Sequence, residues 1–593
     1  MESEYSPYGE RTHVRSSLGA DTELTYDRLG LVRGVTANVE NPDNNRDSQS
    51  CESKATDTKR WGSTIERDGA GREIERFATG GIRISTDYND MGLVRSRHVH
   101  SGDRHTGWRH YRWDVGARLM SMRCSMRGEP VIYDYDSLCN LIRGDYSLHE
   151  SIFRTPDKVG NLYREAECKG RRYDRGGRLL WDGEYHYAYD CEGNLVHKSR
   201  RDINAGTAEK GQTCDTGGKK KAGWFRLLFG SDGIEENDRR ETGGNGTADD
   251  FADWEPGDTC YRWHANGMLA EVRTPDGKMV SFGYDALGRR VSKRTGDTLH
   301  RFGWDGNVVL HEWDTDRNRM PRLVKDETGR EEYDGTEKQE NLVTWVYDGT
   351  SFTPVAKVTE DERYTIVHDY LGTPTQAYDS RGGLVWEMLL DVYGEVMECR
   401  GDRTLVPFRY QGQYEDAETG LYYNRFRYYS PQMGMYISSD PIGLAGNNPT
   451  LYGYVQDVNI WLDLCGLSAL SGTGTIFEVG QYNEIRIKSS GLPLDAHHVG
   501  QAAVMRKLVK NYNYNTAPAI LVPSIGHTSK IPVSGSRIST NTKGISNARD
   551  LLARDIKELR RVYPEIPNEQ LRKLIEMNKQ LYPEMRKAGK ICK

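Results

Sequence analysis

Two adjacent histidines, His497 and His498, and a third at His527 are well suited to chemistry near neutral pH. Imidazole titrates near pH 6.5, and its neutral nitrogen can take a proton from water or bind a metal ion. The pair stands in Leu494-Asp495-Ala496-His497-His498. Taken alone, such a pair is more often structural than catalytic. A second candidate is a doubled string, Asp440-Pro441-Ile442-Gly443-Leu444 and Asp463-Leu464-Cys465-Gly466-Leu467. Two carboxylates brought together can share a proton, one activating water while the other polarises a carbonyl. The competing reading is that each Asp only caps a turn.

The elements that must position the histidines can be read from patterning. Thr475-IFEVG and Tyr482-NEIRIK alternate like short strands. The His pair precedes a helical pattern with apolar Ala502, Met505, Leu508 and Val509, and Ala519-ILVP is a short apolar strand ahead of His527. Ser546-NARDLLARDIKELRRVY is an amphipathic helix that Ser546 or Asn547 can cap, with Leu551, Leu552, Ile556, Leu559 and Val562 on one face. Asn568-EQLRKLIEMNKQLY is another. Their outer faces carry Arg554, Lys557, Arg560, Arg561, Arg572 and Lys573, a candidate nucleic-acid surface. Asn513 and Asn515 lie in the segment between the His pair and His527.

Upstream, one pattern recurs nine times: an aromatic, a polar residue (usually Asp), variable residues, Gly or an equivalent, then Leu or Val. It begins at Tyr26, Tyr88, Trp113, Tyr135, Tyr173, Tyr189, Trp263, Tyr284 and Trp304. Asp can cap a turn's amides, Gly takes a positive φ, and the closing Leu or Val starts a return strand. A lone hairpin cannot bury its face, so the copies must stack into a continuous sheet. Residues 203–258 interrupt the series with a Gly-, Lys- and acid-rich stretch that reads as a flexible insertion.

Composition divides the chain in the same way. Residues 468–593 hold 20 Lys and Arg against 10 Asp and Glu, a net of +10, so residues 1–467 carry −16 of the total −6. A basic end on an acidic body suits a tail that meets a polyanion and a body that holds it. The ten cysteines form no CxxC pair and read as reduced thiols. No run of 18 apolar residues is present, and the opening MESEYSPYGERTHVRSS has no apolar signal core.

The repeats resemble the YD repeats of bacterial RHS proteins, and Phe408 through Leu467 resembles the RHS core-associated signature. The resemblance implies a mostly β fold, a YD-repeat β-shell or cocoon, followed by a small α+β C-terminal domain. It divides the chain into shell (1–202), insertion (203–258), shell (259–400), core-associated segment (401–467) and toxin domain (468–593). It implies aspartyl-type self-cleavage by Asp440 and Asp463 between Leu467 and Ser468; Leu464 stands where the family has Pro. The tail resembles the ββα-metal HNH/endonuclease VII superfamily in its AHH form. That implies His498 as general base, with His497 and His527 as ligands of Mg²⁺, Mn²⁺ or Zn²⁺, and Asp495 or water at a position without a third His. The family implies a toxin made in the bacterial cytoplasm and delivered into target cells, often by type VI secretion, with a cognate immunity protein. Nucleic acid is the expected substrate, DNA ahead of RNA. Two other functions fit the same residues: a metal-independent ribonuclease using His498 and His527 as base and acid, and a non-catalytic adhesive repeat protein. Chelation separates the first from a metal nuclease, and an inert tail marks the second.

Overall fold

The computed structural model describes residues 1–6, 10–28, 31–39, 59–69, 71–146, 150–203, 251–325, 330–349, 351–446, 448, 450–467, 470–471, 477–488, 494–500, 502–523, 527, 537–539, 541–542, 545–563, 566 and 568–586. The fold is mostly β. Thirteen strands from Glu2–Tyr5 to Ser151–Phe153 form one antiparallel sheet in chain order, and sixteen from Arg172–Tyr173 to Val396–Arg400 form a second. The strands flanking the insertion, Leu195–Ser199 and Thr259–Trp263, are direct neighbours, with His197 opposite Cys260. Residues 204–250 lie outside the described residues; Phe251 and Asp258, at the end of the interruption, are buried.

The repeat explains this chain-order topology. In the Tyr135 copy, the Asp136 amide donates to the Asn140 carbonyl, and Asp136 Oδ1 accepts from the Leu138 and Asn140 amides, both at 2.9 Å. Cys139 takes the positive φ there (66°), as Ala117 does in the Trp113 copy (61°). The aromatic that opens each repeat then ties it to the one before. Its donor meets the carbonyl six residues past the preceding aromatic: Tyr135 to Leu119 (3.1 Å), Trp113 to Val94 (2.8 Å), Tyr284 to Leu269 (2.8 Å), Trp304 to Arg290 (2.7 Å). The ring thus buries apolar surface while its polar tip satisfies a main-chain acceptor. Tyr284→Phe should loosen this link by about 1–3 kcal/mol, because a buried carbonyl loses its donor. The check is amide exchange across Leu269–Arg290; an unchanged rate would show that the hydroxyl contributes nothing.

The two large sheets meet through Trp61 Nε1 donating to Thr365 Oγ1 (2.9 Å), Arg76 paired with Asp348 (2.6 Å) and Arg11 paired with Asp305 (2.6 Å). Between other parts of them sits a small four-stranded sheet: Tyr414–Asp416, Leu421–Asn424, Arg427–Ser430 and Met435–Tyr436. Strand alternation sends Tyr422, Tyr429 and Tyr436 against Leu119, Tyr133 and Leu141 of the first sheet. Leu421, Tyr423, Tyr428 and Met435 go against Leu179, Leu195 and Leu269 of the second. Burial on both faces is why this segment reads as an unbroken aromatic run.

The tail has its own apolar core, drawn from residues between Phe477 and Met585. Its three-stranded sheet places Pro518–Pro523 between Val479–Gln481 and Leu494–His498. Among the described residues four helices accompany it: α1 (Tyr482–Lys488), α2 (Ala502–Leu508), α3 (Ala548–Val562, capped by Asn547) and α4 (Asn568–Leu581). The strand expected at Tyr482–Lys488 is therefore a helix. Tyr482 and Ile485, three apart, lie together on one helical face and cover Ala519 and Leu521 of the sheet. The seven described cysteines are free thiols. Among the described residues no helix is long and apolar enough to cross a membrane, which says nothing of a β-barrel.

Candidate active sites

Asp440 and Asp463 converge on one buried cation, Arg427. Its Nη2 lies 2.8 Å from Asp440 Oδ2 and 3.5 Å from Asp463 Oδ2, and all three side chains are at most 2% exposed. Each Asp also caps a turn through its other oxygen. Asp440 Oδ1 accepts from the Ile442 amide (2.9 Å), and Asp463 Oδ1 from the Leu467 amide (3.0 Å). The same cap occurs in the repeats, where the second oxygen goes to the residue four positions on, as in Asp114–Arg118, Asp136–Asn140 and Asp285–Arg289. At Asp440 and Asp463 that fourth residue is Leu444 or Leu467, which has no polar side chain, and the second oxygen turns to Arg427 instead. The capping and chemical readings of these aspartates are thus compatible.

The surroundings fix this arrangement. Arg427 Nε donates to the Gly466 carbonyl, Nη1 to the Leu451 carbonyl (3.3 Å), and the guanidinium lies 3.7 Å over the Tyr436 ring. The Tyr436 hydroxyl donates to Asp463 Oδ2 (2.9 Å), while Asn424 Nδ2 donates to both the Asp463 carbonyl and the Tyr436 oxygen (2.8 Å each). Gly466 has φ +73°, and a Cβ there would come within 2.6 Å of the Asn424 carbonyl, so glycine is required. Burial pushes the Asp440 carboxyl up, Arg427 and the Ile442 amide oppose this, and Asp463 adds to it. One guanidinium faces two carboxylates out of water, and their mutual repulsion favours the protonated form of one of them. Ser468 lies outside the described residues.

In the tail, strand alternation divides the histidine pair. Asp495 and His497 share one face of Leu494–His498, and His498 points from the other. His497 is buried against His527, with ring centroids 5.1 Å apart and planes at 81°. His527 Nδ1 lies 2.9 Å from Asp495 Oδ2, which puts the lone pair of a neutral His527 ring on Nε2. Burial holds His497 well below the ordinary imidazole range, and His527, His498 and Arg554 push it further down. His498 packs instead between Tyr482 (4.9 Å) and Tyr514 (4.6 Å), whose hydroxyls are hydrogen-bonded at 2.9 Å. The structure therefore brings Asp495, His497 and His527 together and sets His498 apart. Asn513 caps the Asn515 amide (3.0 Å), and both are exposed. Imidazole and carboxylate are suitable metal donors, yet among the described residues no three His, Cys, Asp or Glu side chains are placed to hold an ion.

The basic residues also separate. Arg554 donates to the Ser539 carbonyl, pairs with Asp555 (3.0 Å) and lies close enough to depress His497. Lys557, Arg560, Arg561 and Arg572 rim an open groove between α3 and α4, floored by Ile556, Leu571 and Ile575. Arg561 pairs with Glu558 (2.7 Å), and Arg560 donates to the Ile566 carbonyl (2.6 Å). Lys573 is exposed but does not line the groove.

Sequence reasoning missed Arg427, Tyr436, Asn424 and Asp555. A cation within an aromatic strand buried on both faces was a usable signal for Arg427, since it must have anionic partners. Asp555 lies on the apolar face of α3, accepts from the Gly500 amide just after the His pair, and is pushed up to about 6 by burial.

The Teneurin YD-shell family matches residues 254–449. "Probable deoxyribonuclease RhsB" of Dickeya dadantii is 26% identical over 426 residues, 68% of this chain and 24% of that protein. "Double-stranded DNA deaminase toxin A" of Burkholderia cenocepacia is 26% identical over 454 residues, 69% of this chain and 26% of that protein. "Toxin protein Tse5" of Pseudomonas aeruginosa is 30% identical over 349 residues, 48% of this chain and 26% of that protein. The chain thus spans about a quarter of the length of these curated relatives. Among solved structures, TcdB2-TccC3-TEV has a TM-score of 0.34 at 16% identity, covering 77% of this chain and 24% of that one.

Proposed function

We propose that this chain, an RHS/YD-repeat protein by its repeats and its matched shell, is part of a polymorphic toxin used between bacteria. In this reading the β-shell encloses the tail, the Asp440–Asp463 centre cuts between Leu467 and Ser468, and residues 468–593 attack nucleic acid in the target cell. The observation that carries the cut is the convergence of two buried carboxylates on Arg427, one of them holding the Leu467 amide. The proton held between them would polarise the Leu467 carbonyl while the ionised partner takes a proton from water. Delivery by type VI secretion and neutralisation by an immunity protein in the producing cell belong to the same proposal.

For the tail, the supporting observation is the Asp495–His527–His497 cluster, with Arg554 near His497, in a unit whose helices carry further basic residues. His497 is neutral and so has a lone pair to accept a proton, and Asp495 orients His527 as it would a general acid or base. Relatives named as deoxyribonucleases favour DNA as substrate. A divalent ion (Mg²⁺, Mn²⁺ or Zn²⁺) remains part of the nuclease proposal, but no step is assigned to it, because its expected ligands do not converge here. That geometry favours a second reading, metal-independent cutting of RNA by the His497–His527 pair; a curated relative is named "tRNA3(Ser)-specific nuclease WapA" (27% identical over 233 residues).

The test is expression of residues 468–593 in bacteria, with inspection of both DNA and RNA, and of purified tail with and without chelator. The expected result is growth arrest with degraded DNA, halted by chelator. Degraded RNA that ignores chelator establishes the second reading. Normal growth with both nucleic acids intact overturns both.

A further inference from the structure

The bond proposed to be cut lies inside a small antiparallel hairpin. Trp461–Leu462 pairs with Leu470–Ser471, Trp461 opposite Ser471 and Leu462 opposite Leu470. The first strand runs directly into Asp463, and the second begins three residues after Leu467. The ladder therefore closes a loop, residues 463–469, that holds both a carboxylate of the centre and the Leu467–Ser468 bond. Ser468 and Ala469 lie outside the described residues.

The near side of that bond is fixed residue by residue. Gly412 packs against the Leu464 carbonyl too closely to admit a Cβ. The Cys465 carbonyl accepts from the Phe426 amide (3.1 Å), the Gly466 carbonyl from Arg427 Nε, and the Leu467 amide donates to Asp463 Oδ1 (3.0 Å). The first strand of the hairpin is anchored as well. Leu462 is buried, Trp461 packs against the core of the first large sheet, and the Trp461 amide donates to the Asp457 carbonyl (2.8 Å). A two-residue ladder is marginal by itself, but one strand here is already immobile, so the pairing has to order only Leu470–Ser471. Three peptide units, at most about 11 Å of chain, join Leu467 to Leu470, so the bond has little room to leave the carboxylates.

Building on the self-cleavage reading, we propose that Leu470–Ser471 is the positioning element for the far side of the cut: its main-chain pairing with Trp461–Leu462 holds the Leu467–Ser468 bond against Asp440 and Asp463. Hydrolysis there places the hydroxyl of water on the Leu467 carbonyl carbon and its hydrogen on the Ser468 nitrogen as the C–N bond breaks. A ladder is made by amides and carbonyls, so the centre accepts any side chains at 470 and 471, proline excepted.

The test follows the uncut fraction of pulse-labelled full chain with time during cell-free synthesis. The parent and a chain carrying Leu470→Ala and Ser471→Ala should cut at the same rate. Antiparallel pairs alternate between bonded and unbonded, so proline is placed at both positions. Leu470→Pro with Ser471→Pro should cut on the order of 100-fold slower, the cost of a misplacement of about 1 Å. Two glycines inserted between Ala469 and Leu470 keep every ladder group, add only slack, and should also slow the cut. In the uncut Asp440→Asn chain, the amide of Leu470 or Ser471 should exchange slowly, and unchanged protection of Leu421–Asn424 in the proline chain shows that the core segment still folds. A parent that stays whole overturns the self-cleavage reading and this proposal with it. A parent that cuts while the proline or glycine chain keeps pace, or fast exchange at both 470 and 471, overturns the positioning role alone.

Discussion

The purified full-length chain should run as two pieces, a body ending at Leu467 and a tail starting at Ser468, whereas Asp440→Asn or Asp463→Asn should run as one. Each substitution keeps the shape of the turn and an acceptor for the capped amide, Ile442 or Leu467. What it removes is a titrating oxygen facing Arg427. Without two carboxyls no proton can be shared, and neither water activation nor carbonyl polarisation survives. Asp391→Asn is the control. Asp391 also caps a buried turn, at the Tyr393 and Glu395 amides, and is pushed up to about 6 by burial, but Arg427 is not among its partners. It should cut normally. The pH dependence has a definite sign. Burial raises Asp440 above the ordinary aspartate value, so it gives up its proton at a higher pH than a solvent-exposed aspartate does. With Asp440 as the acid, cutting should slow as pH rises past that point. Intact-mass spectrometry reads all of this, and splitting at the same bond in both Asn variants would falsify the aspartyl mechanism.

The second large effect concerns the tail. His497→Ala or His527→Ala should lower nucleic-acid cutting by about 10²–10⁴-fold, the usual contribution of a positioned acid or base. Asp495→Asn should reduce it less, since it removes the negative charge beside His527 but keeps an acceptor and leaves both rings. His498→Ala should have the smallest effect, because its ring lies on the opposite face between Tyr482 and Tyr514. Arg572→Ala should instead weaken binding and lower the salt slope by about one unit, with cutting largely kept at saturation. The measurements are cleavage rates and salt-dependent binding of the released tail. If His498→Ala is inert while His497→Ala remains toxic, the chemistry belongs to the Tyr482–Tyr514 face.

Much of the shell could be read from the sequence because its rule is local. An Asp that caps an amide four residues on, a positive-φ residue between them and an aromatic ahead are all within one turn of chain, and hydrogen bonds of that span need no distant partner. The same holds for α3, where Asn547 and the apolar spacing specify both start and face. Local pattern misled at Tyr482–Lys488, where an alternating string also satisfies a short helix, and the helix wins by covering Ala519 and Leu521.

The candidate sites divide along the same line. The resemblance to the RHS core-associated signature marked the two aspartates, and the adjacent histidines with the later His527 marked the second site by residue type. Tertiary structure alone decided that Asp440 and Asp463 share one guanidinium, because Arg427 reaches them from another strand of a sheet buried on both faces. It also decided that His497 meets His527 and not His498: adjacent residues on a strand point to opposite faces, and which face carries the partners depends on what packs there.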